Sequence, residues 1–320
     1  MKRRVLMGAA GAMLAAPALR AQQAWPTRPV RIIVPSVTGG FDIYARMMAQ
    51  QLSEMWRQPV VVDNRPGANG NIGMSEVQRA TDGHTLLFAA VGSLSINISV
   101  FRAMPLDPIE DLAPVALSVT SPMIWVANPQ SRIHALADII TEARARPGQL
   151  NYALPSSGTI NHLIVEAFKQ KHNLDMPAVP YRGTAPAQLD VVSGQVPLMV
   201  DSLGAGWGHI SSGRMRALAL TSRERSPRIP ELATAIELGL EDREYVAWYA
   251  YMAPKTTPPE ILARMNASLN QVAMGAEIGE RLRTMGSAPA AMTPEAQLAF
   301  MRSERALWGG IARAGNIEAV

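Results

Sequence analysis

The sequence predicts an α/β protein of two domains, each a mainly parallel sheet flanked by helices. Two observations lead to this prediction. Short apolar, β-branched runs alternate with segments of helical spacing, first over residues 30–93 and again over residues 123–220. Such alternation is typical of parallel strands joined by crossover helices. The chain has 320 residues, of which 48% are hydrophobic and 18% charged, and this suits two globular domains.

The first strand and helix enclose a glycine-rich turn. Residues 30–34 are apolar and β-branched, which predicts a buried strand, and apolar residues recur with helical spacing over residues 43–52. The turn between them contains Pro35 and the pair Gly39-Gly40. Glycine lets a ligand approach the backbone, and the N–H groups of a helix start favour an anion. The alternative is a turn that needs glycine for steric reasons only.

Two more strands complete this first block. Residues 59–63 predict a second buried strand and residues 85–89 a third, which leads into another helix start after residue 93. Residues 64–73 form a turn rich in Gly and Asn before a helix over residues 74–80. Its glycines have GxxGxxG spacing, whereas dinucleotide-binding loops have GxGxxG, so no nucleotide is predicted.

The middle of the chain repeats the pattern and predicts a second α/β domain. The predicted strands cover residues 123–127, 150–153, 178–181, 196–200 and 216–220. The predicted helices cover residues 135–146 and 160–171 and a segment that runs through Val192.

The last third predicts one long strand followed by helices. Residues 245–252 form an aromatic-rich strand, interpreted as the return from the second domain to the first. Thr257 and Glu260 have the spacing of a capping box, with proline at the first helical position. A final helix is predicted from Thr293 through Trp308.

Residues 1–21 predict a secretory signal segment, cleaved near Ala21, and therefore a periplasmic protein. A basic start precedes a short apolar run and a small-residue cleavage site. The run is shorter than the roughly 18 residues of a membrane span, although a retained anchor is the alternative.

The segment holds four basic residues and no acidic one, so its removal takes the formal charge from +4 to about zero. This balance favours neither nucleic acid nor a membrane surface. Cysteine is absent, so the core alone must stabilise the exported chain.

Four loops at predicted strand ends share a small, hydroxyl- or glycine-rich composition. They cover residues 38–42, 90–93, 156–159 and 182–185, and each precedes a helix. Ligands of open α/β sheets bind outside the carboxyl ends of the strands. If two loops belong to each domain, they face each other across a cleft and offer N–H groups and hydroxyls to a carboxylate. The alternative is that all four are local caps and turns.

Three charged residues stand near these loops. Arg182 is the cation expected to pair with a ligand carboxylate, with a surface arginine as the alternative. Asp201 ends a strand, where it would accept hydrogen bonds from the loops or from a ligand amine, or cap a helix. Asp42 has the same two interpretations, and its position favours capping.

The residue patterns of catalysis are missing from the sequence. It contains no cysteine, no HxxxH pair, no GxSxG and no phosphate loop ending in GK[ST]. His162 and Glu166 are four residues apart on a predicted helix, which is a weak metal signal. We therefore expect neither an enzyme, nor a metal site, nor a cofactor.

Several motifs together resemble one family over nearly the whole mature chain. They are WPTRPV (25–30), the loop of residues 35–42, VVVDNRPG (60–67), GNIG (70–73), DGHTLL (82–87), PSSGT (155–159) with His162, Leu163 and Glu166, VPYRG (179–183), SGQVPLMVD (193–201), RALALTS (216–222) and Ser303-Glu-Arg with Trp308. The chain resembles the extracytoplasmic solute receptors of tripartite tricarboxylate transporters, also called the Bug family.

The resemblance implies a type II periplasmic-binding-protein fold that closes on its solute like a Venus flytrap. Residues 25–124 and 250–320 would form one domain and residues 125–249 the other. Main-chain groups and ordered water would hold a small organic carboxylate, which passes to a membrane permease, and we expect a monomer. The implied ligand-binding residues are Ser36, Thr38, Gly39, Gly40, Phe41, Asp42, Val91, Gly92, Ser93, Ser156, Ser157, Gly158, Thr159, His162, Arg182, Gly183, Thr184, Ala185 and Asp201.

The first loop departs from the family pattern. It is one residue shorter than usual, and Phe41 alone separates Gly40 from Asp42. A bulky aromatic residue here would narrow the cleft or offer a stacking face, which favours an aromatic or unusual carboxylate. Thr38, where Pro or Ala is common, adds a hydroxyl donor.

Three other functions fit the same fold class. The first is a receptor that signals to a membrane sensor without transport, and no sequence feature distinguishes it from a transport receptor. An exported enzyme on this fold would need a catalytic grouping that the sequence lacks. The signal segment and the absence of an N-terminal helix-turn-helix argue against the third function, the effector domain of a transcription regulator.

Overall fold

The computed structural model describes residues 25–38 and 41–318, so the predicted signal segment and Gly39 and Gly40 lie outside the described residues. This part of the chain contains a ten-stranded sheet with helices packed around it. The strands are β1 (Val30–Val34), β2 (Val60–Asn64), β3 (Thr85–Ala90), β4 (Leu112–Ala127), β5 (Tyr152–Leu154), β6 (Ala178–Pro180), β7 (Leu198–Ser202), β8 (Arg216–Leu220), β9 (Val246–Pro254) and β10 (Ala288–Pro289). The predicted α/β class is confirmed.

The helices alternate with the strands in most of the chain. They are α1 (Asp42–Trp56), α2 (Asn71–Gln78), α3 (Asn97–Val100), α4 (Pro108–Asp111), α5 (Leu136–Ala145), α6 (Ile160–His172), α7 (Thr184–Ser193), α8 (Leu203–Ser211), α9 (Pro259–Ala273), α10 (Ala276–Thr284) and α11 (Pro294–Ala314). Short helical turns over Ala68–Gly70 and Gly92–Ile96 lead into α2 and α3. The described residues include no helix with the length and apolarity of a membrane span.

In the first half of the sheet, the three strands nearest the N-terminus of the chain are parallel. Strand β1 lies between β2 and β3 and is parallel to both, with Val30 opposite Val60. The prediction that residues 59–63 form a buried strand is wrong in one respect, because β2 is only partly covered and Val61 is 53% exposed. β2 is the edge strand of the sheet, so no further strand covers it.

Strand β4 connects the two halves of the sheet. Its first eleven residues pair with β9, and residues 123–127 then pair with β7 and β8. We predicted a strand only over residues 123–127, because Pro114 and Pro122 lie in the earlier part. The register of β4 against β9 shifts just after Pro114 and again after Leu117. Irregular pairing of this kind lets a strand include proline.

The second half of the sheet repeats the parallel arrangement. Strand β5 is parallel to β6 and to β7, whereas β4 runs antiparallel to β7, β8 and β9. Strand–helix alternation therefore predicts the parallel strands correctly within each half. The long strands that join the halves are antiparallel to their neighbours.

Two predicted helix starts had different outcomes. Thr293 is the N-cap of α11, and its side chain accepts a hydrogen bond from the Ala296 N–H at 3.2 Å, as predicted. The capping box at Thr257 is wrong. Helix α9 has Pro258 as its N-cap, without a side-chain cap, and Thr257 lies buried one residue earlier. Proline at the first helical position is confirmed there.

A partly buried carboxylate lies beside β9 at the edge of the hydrophobic core. Both the Trp248 and the Trp308 indole N–H groups donate to Glu304 Oε2 at 2.8 Å. Burial raises the pKa of Glu304, although these two hydrogen bonds oppose that effect. The contact joins the C-terminal helix α11 to β9 and fixes the strand that returns to the first half of the sheet.

Candidate ligand-binding cleft

A cleft of about 570 Å³ lies beside the point where β4 passes from one half of the sheet to the other. Residues from both halves line it. They are Phe41, Ile43, Tyr44, Met123, Ile160, Asn161, Thr184, Asp201, Ser202, Gly204, Ala205, Arg228, Ala247, Tyr249 and Met285.

Four helices begin at this cleft. First-turn residues of α1, α6, α7 and α8 are all among its lining residues. The first N–H groups of a helix have no partner inside the helix, and the helix dipole makes this end positive. The four starts thus present backbone donors to one space, which is a suitable environment for an anion.

The helix starts differ in how they are capped. The Ser202 side chain caps α8 by accepting from the Ala205 N–H at 3.2 Å. Thr159 is the N-cap of α6, but its hydroxyl donates to the Ser156 carbonyl at 2.8 Å and makes no cap with any described residue. Gly183, the N-cap of α7, has no side chain to offer. The starts of α6 and α7 therefore leave backbone donors for a ligand or for water.

Asp201 is the acidic residue of the cleft. It lies buried near the end of β7, where its carboxylate accepts from Gln188 Nε2 at 2.6 Å and from its neighbour Ser202 N at 2.8 Å. Burial raises the pKa of Asp201 to about 6, and the two hydrogen bonds only partly oppose this effect. The carboxyl group therefore titrates close to neutral pH.

Arg228 is the basic residue of the cleft, and the sequence did not identify it. Its guanidinium carbon lies 4.5 Å from the centre of the Trp207 ring. Burial lowers the pKa of Arg228, but a guanidinium stays protonated at neutral pH. Its side chain makes no hydrogen bond or ion pair with any residue in the described ranges. Its segment, residues 223–230, has neither periodicity nor a motif that would have pointed to a site.

Aromatic side chains also line the cleft. The Phe41 and Tyr249 ring centres are 5.3 Å apart, and those of Tyr44 and Tyr249 are 5.1 Å apart. Sequence analysis predicted the strand that carries Tyr249 but not its role. The period of two places residues 247, 249 and 251 on one face, which would have been the available signal.

The first predicted loop reaches the cleft at its end. Phe41 lines it, and Asp42 is buried behind it with Arg46 Nε at 3.0 Å from its carboxylate. Asp42 is the first residue of α1 rather than its N-cap. Ser36 is half-buried, and the exposed Thr38 is 3.5 Å from the Asn64 side-chain oxygen, so neither lines the cleft.

The second predicted loop does not line the cleft. Val91 and Ser93 are buried, and the Ser93 hydroxyl donates to the Ala90 carbonyl at 3.2 Å. A Cβ added to Gly70 would lie 3.0 Å from Ser93 Cβ, so the turn over Ala68–Gly70 covers this loop. Gly92 is half-buried in the same helical turn.

The third predicted loop lies next to the cleft through the start of α6. Ser156 is exposed, and the Ser157 hydroxyl donates to the Glu318 carbonyl at 3.0 Å. Gly158 is buried and donates its N–H to His162 Nδ1 at 3.3 Å. The lining residues here are Ile160 and Asn161, immediately after the loop.

The fourth predicted loop contributes Thr184 to the cleft. Gly183 has a φ of +113°, a conformation that residues with a Cβ rarely adopt. Arg182 and Ala185 are exposed and are absent from the lining. The basic side chain that lines the cleft is thus Arg228 rather than the predicted Arg182.

His162 and Glu166 belong to a group of polar side chains on α6 that contacts Tyr152 of β5. Glu166 Oε1 accepts from Tyr152 Oη at 3.1 Å and from Lys169 Nζ at 2.6 Å, and His162 Nε2 lies 3.8 Å away. Burial lowers the pKa of His162, which favours the neutral ring. Within residues 25–38 and 41–318, no three His, Cys, Asp or Glu side chains are grouped as metal ligands.

The sequence matches the family model described as tripartite tricarboxylate transporter family receptor over residues 44–317. Protein BugT of Bordetella pertussis is 35% identical to this chain over 292 residues, which are 90% of this chain and 90% of that protein.

Several solved structures are similar over most of the chain. The structure of R. palustris Rpa4515 with adipate has a TM-score of 0.84 and 33% identity, covering 92% of this chain and 100% of that one. The periplasmic binding protein BugD has a TM-score of 0.79 and 29% identity, with 92% and 99% covered. MatC from Rhodopseudomonas palustris with bound malate has a TM-score of 0.78 and 27% identity, with 90% and 99% covered.

Proposed function

This chain belongs to the tripartite tricarboxylate transporter receptor family, and we propose that it captures a small organic carboxylate in the cleft and delivers it to a membrane permease. The family is one of solute-binding receptors, so the chain is a receptor and not an enzyme. Its similarity to proteins solved with adipate and with malate supports a carboxylate as the solute.

The observation that carries the proposal is the set of unused donors on one side of the cleft. The starts of α6 and α7 have no side-chain cap, and the Arg228 guanidinium, which lies over the Trp207 ring, makes no hydrogen bond or ion pair with the described residues. A carboxylate accepts hydrogen bonds from backbone N–H groups and from a guanidinium, and such charge-assisted bonds are the strong ones. The solute would therefore bind with its carboxylate at Asn161, Thr184 and Arg228.

Isothermal titration calorimetry of the mature chain tests carboxylate binding. The probes are adipate and malate, which are the solutes in the two similar structures. We expect one binding site per chain for at least one carboxylate of a panel that begins with these two. If neither these two nor any member of a wider carboxylate panel raises the melting temperature or produces binding heat, the proposal is wrong.

The cleft would close when the solute binds. We propose that residues 25–124 with 250–320 and residues 125–249 move as two bodies about crossings near residues 125 and 248. Strands β4 and β9 join the halves of the sheet there, which supports this division. Closure would bring the loop residues Ser36, Thr38, Ser156 and Arg182 towards the solute. Small-angle scattering should show a smaller radius of gyration with the solute bound, and an unchanged radius would contradict closure.

The remaining parts of the proposal concern the site of action. We propose export to the periplasm with cleavage near Ala21, action as a monomer, and transfer of the solute to a tripartite tricarboxylate-type permease. N-terminal sequencing of the periplasmic protein tests the cleavage. Uptake of labelled solute into proteoliposomes that contain the permease should require the receptor. Binding without receptor-dependent uptake would favour a signalling receptor.

A further inference from the structure

The cleft has two kinds of lining. We call Phe41, Tyr44, Tyr249 and Met285 the aromatic wall, and Asn161, Thr184, Asp201, Ser202 and Arg228 the polar wall. The aromatic wall comes from α1, β9 and the end of α10, and the polar wall from β7, the helix starts beside it and the loop that carries Arg228. The two walls adjoin, because Tyr44 is an electrostatic neighbour of Arg228, so a solute in the cleft contacts both rings and polar groups.

The aromatic wall is fixed from behind. The Phe88 ring is stacked on Tyr249 with centres 6.0 Å apart, and Tyr251 lies 4.7 Å behind Phe88. The Tyr44 hydroxyl is hydrogen-bonded to Ser287 at 2.8 Å. These contacts leave the rings little freedom, so the wall is formed before a solute arrives. A rigid apolar surface binds without the entropic cost of ordering its side chains.

Phe41 packs on the aromatic core, but its side chain does not cap its helix. It is the N-cap of α1, a position where Ser, Thr, Asp or Asn would satisfy the helix. Its ring is half-exposed at the cleft, 5.3 Å from Tyr249 and 6.1 Å from Phe88. The ring therefore extends the buried aromatic cluster into the space where the solute would lie.

The charges of the cleft point to a solute with a single carboxylate. Among the lining residues, Arg228 is the one cation and Asp201 the one carboxylate. A first solute carboxylate would pair with Arg228. A second one would find only backbone N–H groups and no further cationic side chain in the lining, and it would be repelled by Asp201 when that group is ionised.

We propose that the solute is an aromatic monocarboxylate, with its ring on Phe41 and Tyr249 and its carboxylate on the polar wall at Arg228. This inference rests on the proposed function, because it names the solute class of the same cleft. Ring contacts in offset or edge geometry favour an aromatic solute over an aliphatic one of equal size. A hydroxylated dicarboxylate such as malate would leave the aromatic wall without an apolar partner.

Calorimetric titrations of the mature chain with benzoate, cyclohexanecarboxylate and malate test the inference. We expect benzoate to bind at least about tenfold more tightly than malate, the difference that about 1.4 kcal/mol produces. Cyclohexanecarboxylate should bind more weakly than benzoate. Equal affinity for these two would overturn the aromatic requirement, and tighter binding of malate would overturn the inference while leaving the proposed function intact. Failure of every carboxylate would overturn both.

Phe41→Ser should weaken benzoate about tenfold and change malate by less than about twofold. Phe41→Leu keeps an apolar side chain without a ring, so it should bind benzoate less tightly than the parent even if the serine variant folds poorly. The matched control is Val37→Ser, in the same loop, exposed and absent from the lining. Equal losses for benzoate and malate in both Phe41 variants would contradict the role assigned to the ring.

Discussion

The two walls of the cleft differ in what holds them in place. The aromatic wall continues the hydrophobic core, since Tyr249 contacts Phe41, Tyr44 and Phe88 and is almost fully buried. The polar wall consists largely of helix starts and of the Arg228 guanidinium, which makes no hydrogen bond or ion pair with the described residues. Changes to the first wall should therefore cost more stability than changes to the second.

Tyr249→Ala should produce the largest effect of this comparison. Removal of a buried aromatic ring leaves a cavity and typically costs about 3 to 5 kcal/mol of unfolding free energy. Asn161→Ala on the polar wall removes one hydrogen bond, from its side chain to the Val200 carbonyl at 2.8 Å, and should cost about 1 kcal/mol. Urea unfolding measures both values. Similar losses of unfolding free energy in the two variants would show that the two walls contribute equally to stability.

Arg228→Met should lower carboxylate affinity about ten- to a hundredfold, because hydrogen bonds to charged groups contribute about 1.5 to 3 kcal/mol. The melting temperature should fall only slightly, since the guanidinium makes no hydrogen bond or ion pair with the described residues and the substitution removes only its contact with the Trp207 ring, worth about 0.5 to 1 kcal/mol. Calorimetry with the same carboxylate measures Arg228→Met and Arg182→Met, and the Arg182 variant should lose much less affinity. Arg264→Met, an exposed residue of α9, is the control. A larger loss at Arg182 would favour the cation that the sequence suggested.

Stability should depend on pH through Asp201. Its pKa is about 6 in the folded chain, whereas an unfolded aspartate titrates near pH 4. Between these values the folded chain holds the extra proton, so the unfolding free energy falls by about 2 kcal/mol as the pH rises from 4 to above 6. Asp201→Asn should remove this part of the pH dependence in urea unfolding at pH 4.5 and 7.5. If the parent chain and Asp201→Asn lose the same unfolding free energy between pH 4.5 and 7.5, the assignment of this pH dependence to Asp201 is wrong.

The loss of a helix cap should produce the smallest of these differences in stability. Ser202→Ala removes the side-chain cap of α8 and should cost about 1 kcal/mol. Thr159→Ala at the start of α6 removes no cap, because the hydroxyl donates to the Ser156 carbonyl instead, and it should cost less. Thermal unfolding of both variants measures the difference. An equal or larger loss at Thr159 would mean that its hydroxyl supports α6 after all.

Local sequence signals predicted most of the fold. The strand, turn and helix from β1 to α1, and the starts of α6 and α7, follow from apolar spacing and turn residues within about ten positions of each other. The first part of β4 was missed because it contains two prolines, of which Pro114 lies beside a register shift and Pro122 at the end of the pairing with β9. The partial exposure of β2 depends on its place at the sheet edge, which is a tertiary property.

The cleft was predicted less completely, because contacts between distant residues build it. The hydrogen bond between Tyr44 and Ser287 joins positions 243 residues apart. Arg228 reaches the cleft from a loop without a motif, while the similar-looking loop at Val91 is covered by the turn over Ala68–Gly70. Loop composition identified helix starts that could bind an anion, but the fold decides which of them meet.

A crystal structure of the mature chain with its tightest ligand among benzoate, adipate and malate tests the central claim most directly. We predict the solute between the two walls, with a carboxylate within hydrogen-bond distance of Arg228 and of the backbone at the starts of α6 and α7. A carboxylate against the aromatic wall would contradict this account. So would a solute in the separate groove of about 410 Å³ beside Asn128 and Arg146, whose lining contains no predicted site residue.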